Sequence, residues 1–492
     1  MAGHGTTFDQ INTTNGFHPL WMLCLLPIYG TVGADSEMAL RIVYCLVGVI
    51  ACTTFWLAYR TVSTYAGRPA AIVAVCSLIG PWFLNPLVNG LETGILLLHL
   101  FLILWAVHRY DLLSLHIGGR ANALLGLLLG VLFLCRLDSV FIVLAVLAQM
   151  GLRWAVGTEG EVGLGTLFRK WLQVGVVALL LVAPYLLWNI MVYGHMVPLS
   201  GALKSTFPSI SFHPARLTGF HSLFGRIELL FSFVVILWML VFRPSPDIVG
   251  RMRPCLSVGS RSDILLAVWF GCFLHFLNTV LFMEWAAWWW HFSSYVPMTV
   301  VLVGVLFGRF HQQFGRSRYI TIAAAIGVLA VGMVGLRLDA RRRGDHHRPW
   351  LEAAMWTRSN LPGDAVVGMT DCGLFGYFCN RRTVNLDGVI NGVDYQRALR
   401  NHRLGEYLAR CAVTHIADYE VLYQDGYYVI KLPARLYKRP GGAIVATASA
   451  EMYRSDVPAD PSARDSHFAV WDVEDLRVVN DMNELAMHMP PL

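Results

Sequence analysis

Charge is distributed along this chain in two regimes that no single soluble fold accommodates. Residues 1–336 carry 19 Lys/Arg and 12 Asp/Glu, whereas residues 337–492 carry 19 and 20. The first density, about 9%, lies far below the roughly 25% of ordinary soluble domains, and the second matches it. The first part has too few charges to make an aqueous surface and is read as membrane; the second is a water-soluble domain. With 56% of residues hydrophobic, intrinsic disorder is excluded. Cysteine usage excludes a disulfide scaffold: Cys24, Cys45, Cys52, Cys76, Cys135, Cys255 and Cys272 lie in or near apolar runs. Only Cys372, Cys379 and Cys411 fall in the tail, where at most one disulfide could form. The net charge of +6 does not point to nucleic acid, because no basic cluster with interleaved aromatics occurs.

A helix crossing the hydrocarbon core needs about 20 residues. Ten segments approach that length: 42–59, 70–86, 92–108, 121–135, 138–151, 172–193, 227–242, 263–283, 292–308 and 319–336. Those at 121–135 and 138–151 read as two helices meeting at Arg136-Leu137-Asp138, because one long helix would centre both charges in the bilayer. The basic residues of the membrane part fall on alternate connections, 14 on one side and five on the other. The five are Arg41, Arg136, Lys204, Arg216 and Arg226. The positive-inside rule gives the 14 to the cytoplasm. The opposite side then receives residues 1–41, 87–91, 136–137, 194–226, 284–291 and the tail from 337, against the contrary signal of Arg341-Arg342-Arg343. The apolar run Leu20–Tyr29 is too short to cross and reads as a re-entrant or interfacial helix entered through Pro19. The chain is therefore expected to be a polytopic α-helical membrane protein with a C-terminal extracytoplasmic α/β domain. Its parts are a first loop with a re-entrant helix (1–41), a transmembrane domain (42–336) and an outer domain (337–492).

Several stretches carry a family resemblance. The run Gly3-His4-Gly5, Phe8-Asp9 and Asn12-Thr13-Thr14-Asn15-Gly16-Phe17-His18-Pro19-Leu20-Trp21 resembles the first extracytoplasmic loop of bacterial GT-C membrane glycosyltransferases. Asn89-Gly90-Leu91-Glu92-Thr93, Arg136-Leu137-Asp138 and the stretch Pro184–Lys204 match in the same order. Asp371–Tyr377 and Asn385-Leu386-Asp387-Gly388 look like the family's outer domain. The resemblance covers almost the whole chain. It implies transfer of a sugar from a polyprenyl-phosphate donor to an extracytoplasmic glycan, lipid or protein acceptor, inverting at the sugar, in the bacterial plasma membrane. One departure accompanies it: the family's first helix, and the acidic pair that precedes the Gly-His-Gly stretch, do not stand before Met1, as a late start or a truncated gene would leave it.

Such a reaction needs a carboxylate to orient or deprotonate the acceptor hydroxyl, and cations or dipoles for the departing phosphate. Asp9 is the sole acid in the first 34 residues; it reads either as a carboxylate facing acceptor or a divalent metal, or as a turn residue. His18 reads either as a ligand of phosphate or sugar, or as a helix cap. Glu92 is a catalytic carboxylate or a first-turn dipole partner. Arg136 and Asp138 are substrate-binding charges or an ion pair holding a turn. Lys204 is a phosphate-binding ammonium or an interfacial lysine. Glu284 and His291, among Trp285, Trp288, Trp289 and Trp290, contact sugar or belong to an aromatic belt.

The tail reads as α/β, with strands at 365–369, 383–386 and 414–418, a helix or turn at 373–379 and a helix at 402–411. Asp371 and Asp387 stand at strand ends, where turn chemistry and an accessory acceptor-binding role compete. Two rival readings remain: a non-catalytic transporter or lipid-binding protein, and an inactive truncated glycosyltransferase. Against the transporter, the sequence has no inverted repeat and no matching broken helices.

Overall fold

The structure is a computed structural model that describes residues 6–33, 37–116, 118–155, 162–212, 259–283, 289–314, 317–401, 403–418, 421–424, 427–431, 443–447, 451–460, 463–473 and 476–479. Among the described residues the regular elements of its first part are helices: α1 (Pro19–Val32), α2 (Glu37–Ala66), α3 (Arg68–Ser77), α4 (Pro81–Val88), α5 (Thr93–Tyr110), α6 (Gly119–Cys135), α7 (Val140–Ala155), α8 (Leu164–Tyr193), α9 (Leu199–Lys204), α10 (Gly259–Phe282), α11 (Val296–Gln313) and α12 (Arg318–Asn360). Among the described residues, seven stretches are long and apolar enough to cross a membrane: Glu37–Ala66, Thr93–Tyr110, Leu137–Ala155, Leu164–Tyr193, Asp263–Phe282, Trp290–Gln313 and Arg318–Arg341. Three shorter apolar helices accompany them: Pro19–Val32, Arg68–Ser77 and Gly119–Cys135. The expected span at 227–242 lies outside the described residues. The chain is thus a polytopic helical membrane protein.

One expected span comes out differently. Residues 70–86 are not one helix; α3 ends after 10 residues and α4, of 8, starts at Pro81. Proline has no N–H to continue the ladder, and its ring clashes with the preceding turn, so Gly80-Pro81 ends one helix and begins another.

Small residues set the helix spacing. A Cβ on Gly126 would lie 2.6 Å from the Val174 carbonyl oxygen, so α6 meets α8 backbone to backbone. Gly271 likewise brings α10 onto α7 at Ile142. In lipid, where apolar burial does not drive helix association, such close packing supplies much of the attraction. The outward face is apolar: α8 leaves Leu172, Leu179, Leu180, Leu187 and Met191 exposed, as a lipid-facing surface requires.

At one end of the body two cations are buried among loop groups. Lys170 Nζ donates to the carbonyls of Leu112 (2.8 Å) and Ser114 (2.5 Å). Arg153 Nη1 donates to Asp263 Oδ2 at 2.8 Å, tying α7 to α10.

The helix α12 runs for 43 residues and carries Pro349 inside it, where one ladder hydrogen bond is missing. Its first half packs on α3 and α4, with Asp339 Oδ2 accepting from Asn85 Nδ2 of α4 at 2.8 Å. Farther along, Trp350, Ala353 and Ala354 are buried against Phe375, Phe468 and Val470 of the tail. The tail folds into two sheets, one of five strands in the order β2-β1-β3-β8-β7 and an antiparallel one of four, β4 (Val421–Gln424), β5 (Tyr427–Lys431), β6 (Ala443–Thr447) and β9 (Leu476–Val479), in that order. In the first sheet, β1 (Val366–Met369) lies parallel to both β2 (Arg382–Asn385) and β3 (His415–Asp418). The strands β7 (Glu451–Asp460) and β8 (Ala463–Asp472) continue it antiparallel. The helices α13 (Gly373–Phe378), α14 (Val393–Arg400) and α15 (Leu404–Arg410) cover the sheet, with Tyr395, Tyr407 and Trp471 fully buried in the core. Cys372, Cys379 and Cys411 are buried free thiols.

The first loop is clamped between the two parts. Asn15 Nδ2 donates to Asn189 Oδ1 (3.1 Å) near the end of α8, and Tyr193 Oη donates to the Thr14 carbonyl (2.8 Å). On the other side, a Cβ on Gly16 would fall 2.2 Å from the Val389 carbonyl oxygen, so only glycine permits this contact with the tail.

Candidate functional site

The site grows from the turn between α6 and α7. Arg136 adopts extended backbone (φ −152°, ψ 128°), which ends α6, and a short 3₁₀ turn over Leu137–Ser139 follows. Ser139 Oγ donates to the carbonyls of Leu132 (2.7 Å) and Arg136 (2.5 Å), capping the helix end. This geometry puts residues two apart on one side. Arg136 Nε donates to Asp138 Oδ1 at 3.1 Å and Nη2 to Oδ2 at 2.5 Å, a bidentate pair in which Arg136 is 3% exposed. Nη1 donates to the Trp290 carbonyl at 2.8 Å. Three of the guanidinium's five N–H donors are thus engaged, and two more remain among the described residues.

A second segment meets this turn. Glu92 stands at the start of α5 and makes no side-chain cap hydrogen bond. Instead its Oε1 lies 3.8 Å from Arg136 Nε and 3.5 Å from His18 Nε2. The loop that presents it is held from behind: Gly90 takes φ +76°, its carbonyl accepts from Trp21 Nε1 (3.0 Å), and Asn89 Oδ1 accepts from Leu91 N and Thr93 Oγ1. His18 precedes α1 and makes no side-chain cap hydrogen bond either. Its Nδ1 is shielded from solvent and meets no hydrogen-bond partner among the described residues. Burial pushes the imidazole pKa below its ordinary 6.5, with Glu92 only partly offsetting that, so the ring is neutral at pH 7.

Lys204 ends α9, in the loop after α8. Burial lowers its ammonium pKa from 10.5, and the nearby charges that act on it are, in order, Asp387, Arg136, Glu92 and Asp138. The expected residues His18, Glu92, Arg136, Asp138 and Lys204 therefore gather at one end of the body, opposite the Lys170 and Arg153 contacts. His291 follows Trp290 and stacks on its ring, with centroids 5.8 Å apart, beside the Arg136 anchor. Glu284 lies outside the described residues.

Asp9 has a different place. Its Oδ1 accepts from Ile11 N (2.8 Å), Asn12 N (2.7 Å) and Thr7 Oγ1 (3.1 Å), and Oδ2 from Asn12 Nδ2 (2.6 Å). That is an Asx turn, with the carboxylate employed in shaping the first loop. The same Asn12 Nδ2 reaches Cys411 Sγ of the tail at 3.8 Å.

Sequence reasoning missed His275. Its Nε2 lies 3.2 Å from Asp138 Oδ2, and its ring is flanked by Phe141 and Phe292 at 6.0 and 6.1 Å. A lone histidine in an apolar helix resembles a core residue; its rank as an ionisable group at membrane depth was the available signal. The role of Asp387 beside Lys204 was equally hidden, since nothing in the spacing joins a tail turn to a loop more than a hundred residues earlier.

As for a metal, no group of three or more His, Cys, Asp or Glu converges among the described residues. The Asp138 oxygens are already engaged by Arg136 and His275. The donor set fits an anion instead. Two cations, Arg136 and Lys204, stand beside a neutral imidazole with an open nitrogen, and carboxylates keep the pocket from being uniformly positive.

Residues 336–470 match a family described as a domain of unknown function (DUF8728). A search of curated proteins finds no match. Among solved structures, ArnT from Cupriavidus metallidurans bound to undecaprenyl phosphate superposes with a TM-score of 0.51 at 12% identity, covering 98% of this chain and 90% of ArnT. The Archaeoglobus fulgidus oligosaccharyltransferase in complex with zinc and sulfate matches at a TM-score of 0.39 and 12% identity, over 84% of this chain and 60% of its own. The ArnT likeness gives the chain a GT-C-like fold, a helical membrane body followed by an α/β domain.

Proposed function

We propose that this protein is a membrane glycosyltransferase that moves a sugar from a polyprenyl-phosphate donor to an extracytoplasmic acceptor. The observation that carries the reading is the buried Arg136, oriented by Asp138 and the Trp290 carbonyl with N–H donors to spare, next to Glu92 and His18 and within electrostatic reach of Lys204. ArnT, whose fold this chain shares, is described as bound to undecaprenyl phosphate.

In this reading the donor phosphate sits on Lys204 and the open N–H groups of Arg136, with His18, its Nε2 proton directed at Glu92, accepting at Nδ1 from a sugar hydroxyl. The acceptor hydroxyl attacks the anomeric carbon and the bond to the phosphate oxygen breaks. The electron pair leaves with the polyprenyl phosphate, whose growing negative charge the two cations stabilise. Glu92 orients the hydroxyl and receives its proton. One displacement inverts the anomeric centre. His291 lines the sugar side, and Asp9 acts through the first loop it shapes. Donor and acceptor meet on the outer face of a bacterial plasma membrane, where the positive-inside rule puts these loops and the tail domain.

The test uses the full chain in lipid nanodiscs. Undecaprenyl phosphate should bind the wild type, and labelled polyprenyl-phosphoryl sugars should be turned over. Lys204→Ala should weaken undecaprenyl phosphate binding at least tenfold, whereas Glu92→Gln should retain binding and lose turnover. A wild type that ignores undecaprenyl phosphate, or variants indistinguishable from it, overturns the reading.

A further inference from the structure

The strands β2, β1 and β3 are parallel, so their carboxyl ends share one edge of the sheet. Beyond them stand Asp387, Asp371 and, as the last residue of β3, Asp418. Carboxyl edges of parallel strands are where open α/β sheets commonly bind ligands. The segment after Asp387 presses on the first loop, where Gly16 lies against the Val389 carbonyl two residues before His18.

Asp387 is held ready. Its Oδ2 accepts from Asp371 N at 3.0 Å and its Oδ1 from Val389 N at 2.8 Å. The first of these bonds requires Asp371 in the left-handed region (φ +42°), a conformation an aspartate adopts at some cost. Each carboxylate oxygen keeps a further lone pair. Asp387 also heads the charges that act on Lys204.

A ligand entering between Asp387 and Lys204 has to satisfy both. It must bring an anion to the ammonium, replacing the carboxylate as its partner, and hydrogen-bond donors to the carboxylate, because an anion alone would repel it. A glycosyl phosphate has this make-up: a phosphate joined directly to a ring bearing hydroxyl donors. We infer that Asp387 is the hydroxyl-binding residue for the transferred sugar, so that the tail domain forms the wall of the site that recognises the donor's sugar while the membrane body holds its phosphate. The inference rests on the polyprenyl-phosphate reading above.

The experiment compares two probes on the full chain in nanodiscs: undecaprenyl phosphate, and a panel of polyprenyl-phosphoryl glucose, mannose and arabinose. At least one sugar-bearing probe should bind the wild type about tenfold more tightly than undecaprenyl phosphate. Asp387→Asn should erase that gain while undecaprenyl phosphate, relieved of the carboxylate's repulsion, binds at least as tightly as to the wild type, which also reports that the variant is folded. Asp387→Glu, which keeps the charge, should restore part of the gain. The inference is overturned if Asp387→Asn keeps the sugar gain, if it loses undecaprenyl phosphate binding as well, or if no sugar in the panel adds affinity to the wild type. A wild type that binds neither probe removes the polyprenyl-phosphate reading itself, a result distinct from a failure at Asp387 alone.

Discussion

The two ends of the membrane body both bury cations, but they treat them differently. At one end, Lys170 donates to the carbonyls of Leu112 and Ser114, and Arg153 pairs with Asp263. These contacts close loops between helices, and each cation faces partners that belong to the chain. At the other end Arg136 shares Asp138 with His275 and approaches Glu92, Glu92 shares itself with His18, and Lys204 feels charges from three directions. Coupling among several charges, with an imidazole nitrogen left open, is costly for stability alone and is what a site for a charged ligand requires.

The largest effect that would break this contrast is at Arg136. Arg136→Gln should weaken undecaprenyl phosphate binding by about a hundredfold, since losing a buried charged partner costs several kcal/mol. A titration in nanodiscs that finds only a stability loss would make the two ends alike. The converse test is Lys170→Met, which strands two carbonyls at about 1–3 kcal/mol each. It should lower the melting temperature and the folded yield, while the folded fraction binds undecaprenyl phosphate as the wild type does.

A smaller effect sharpens the picture at His275. Through Asp138 it is a positioning residue for Arg136, so His275→Phe should reduce undecaprenyl phosphate affinity about tenfold. His275→Gln, which can still donate to Asp138, should recover most of it; equal loss in both variants would point to packing instead.

The smallest effects are in pH dependence. Unfolded, His18 takes up a proton near its ordinary 6.5; folded, burial delays this to lower pH. Just below 6.5 the unfolded state therefore holds the extra proton, and stability falls as pH falls through that window. Thermal melts of the wild type should show this acid-side decline, a few-fold in the unfolding constant, and His18→Asn should flatten it. For Lys204 burial lowers the pKa below 10.5, so phosphate binding should fade on the alkaline side earlier than an ordinary lysine would dictate.

Much of this architecture was legible before any coordinates. Apolar run length and charge alternation placed the helices, and the loops assigned to one side supplied His18, Glu92, Arg136 and Lys204, which do gather. The first strands of the tail were also legible, because 365–369, 383–386 and 414–418 are short apolar runs bounded by turn residues. Two features escaped for physical reasons. The break at Gly80-Pro81 was overridden by the hydrophobicity around it, since periodicity averages across a single proline. The helix Val393–Arg400 is short and largely polar, so its amphipathic face gave no run to detect. His275 escaped because its meaning lies in a partner distant in sequence, and Asp387, read at a strand end as turn chemistry or accessory acceptor binding, could not be joined to Lys204 for the same reason.

The length of α12, which stays helical through Pro349, has a consequence for how the outer domain is aimed. Its 43 residues extend about 65 Å at 1.5 Å per residue, more than twice a bilayer's hydrocarbon core. One rod thus belongs to both cores, through Asp339 below and Trp350 above. A flexible tether would let the domain search; a rod fixes its azimuth. Inserting one residue between 339 and 350 would swing everything beyond it by about 100° and turn Asp387 away from Lys204, although no contact within either part changes. Four inserted residues would nearly restore the heading while raising the domain by about 6 Å. The site is therefore set by rotational phase along a single helix as much as by the residues that line it.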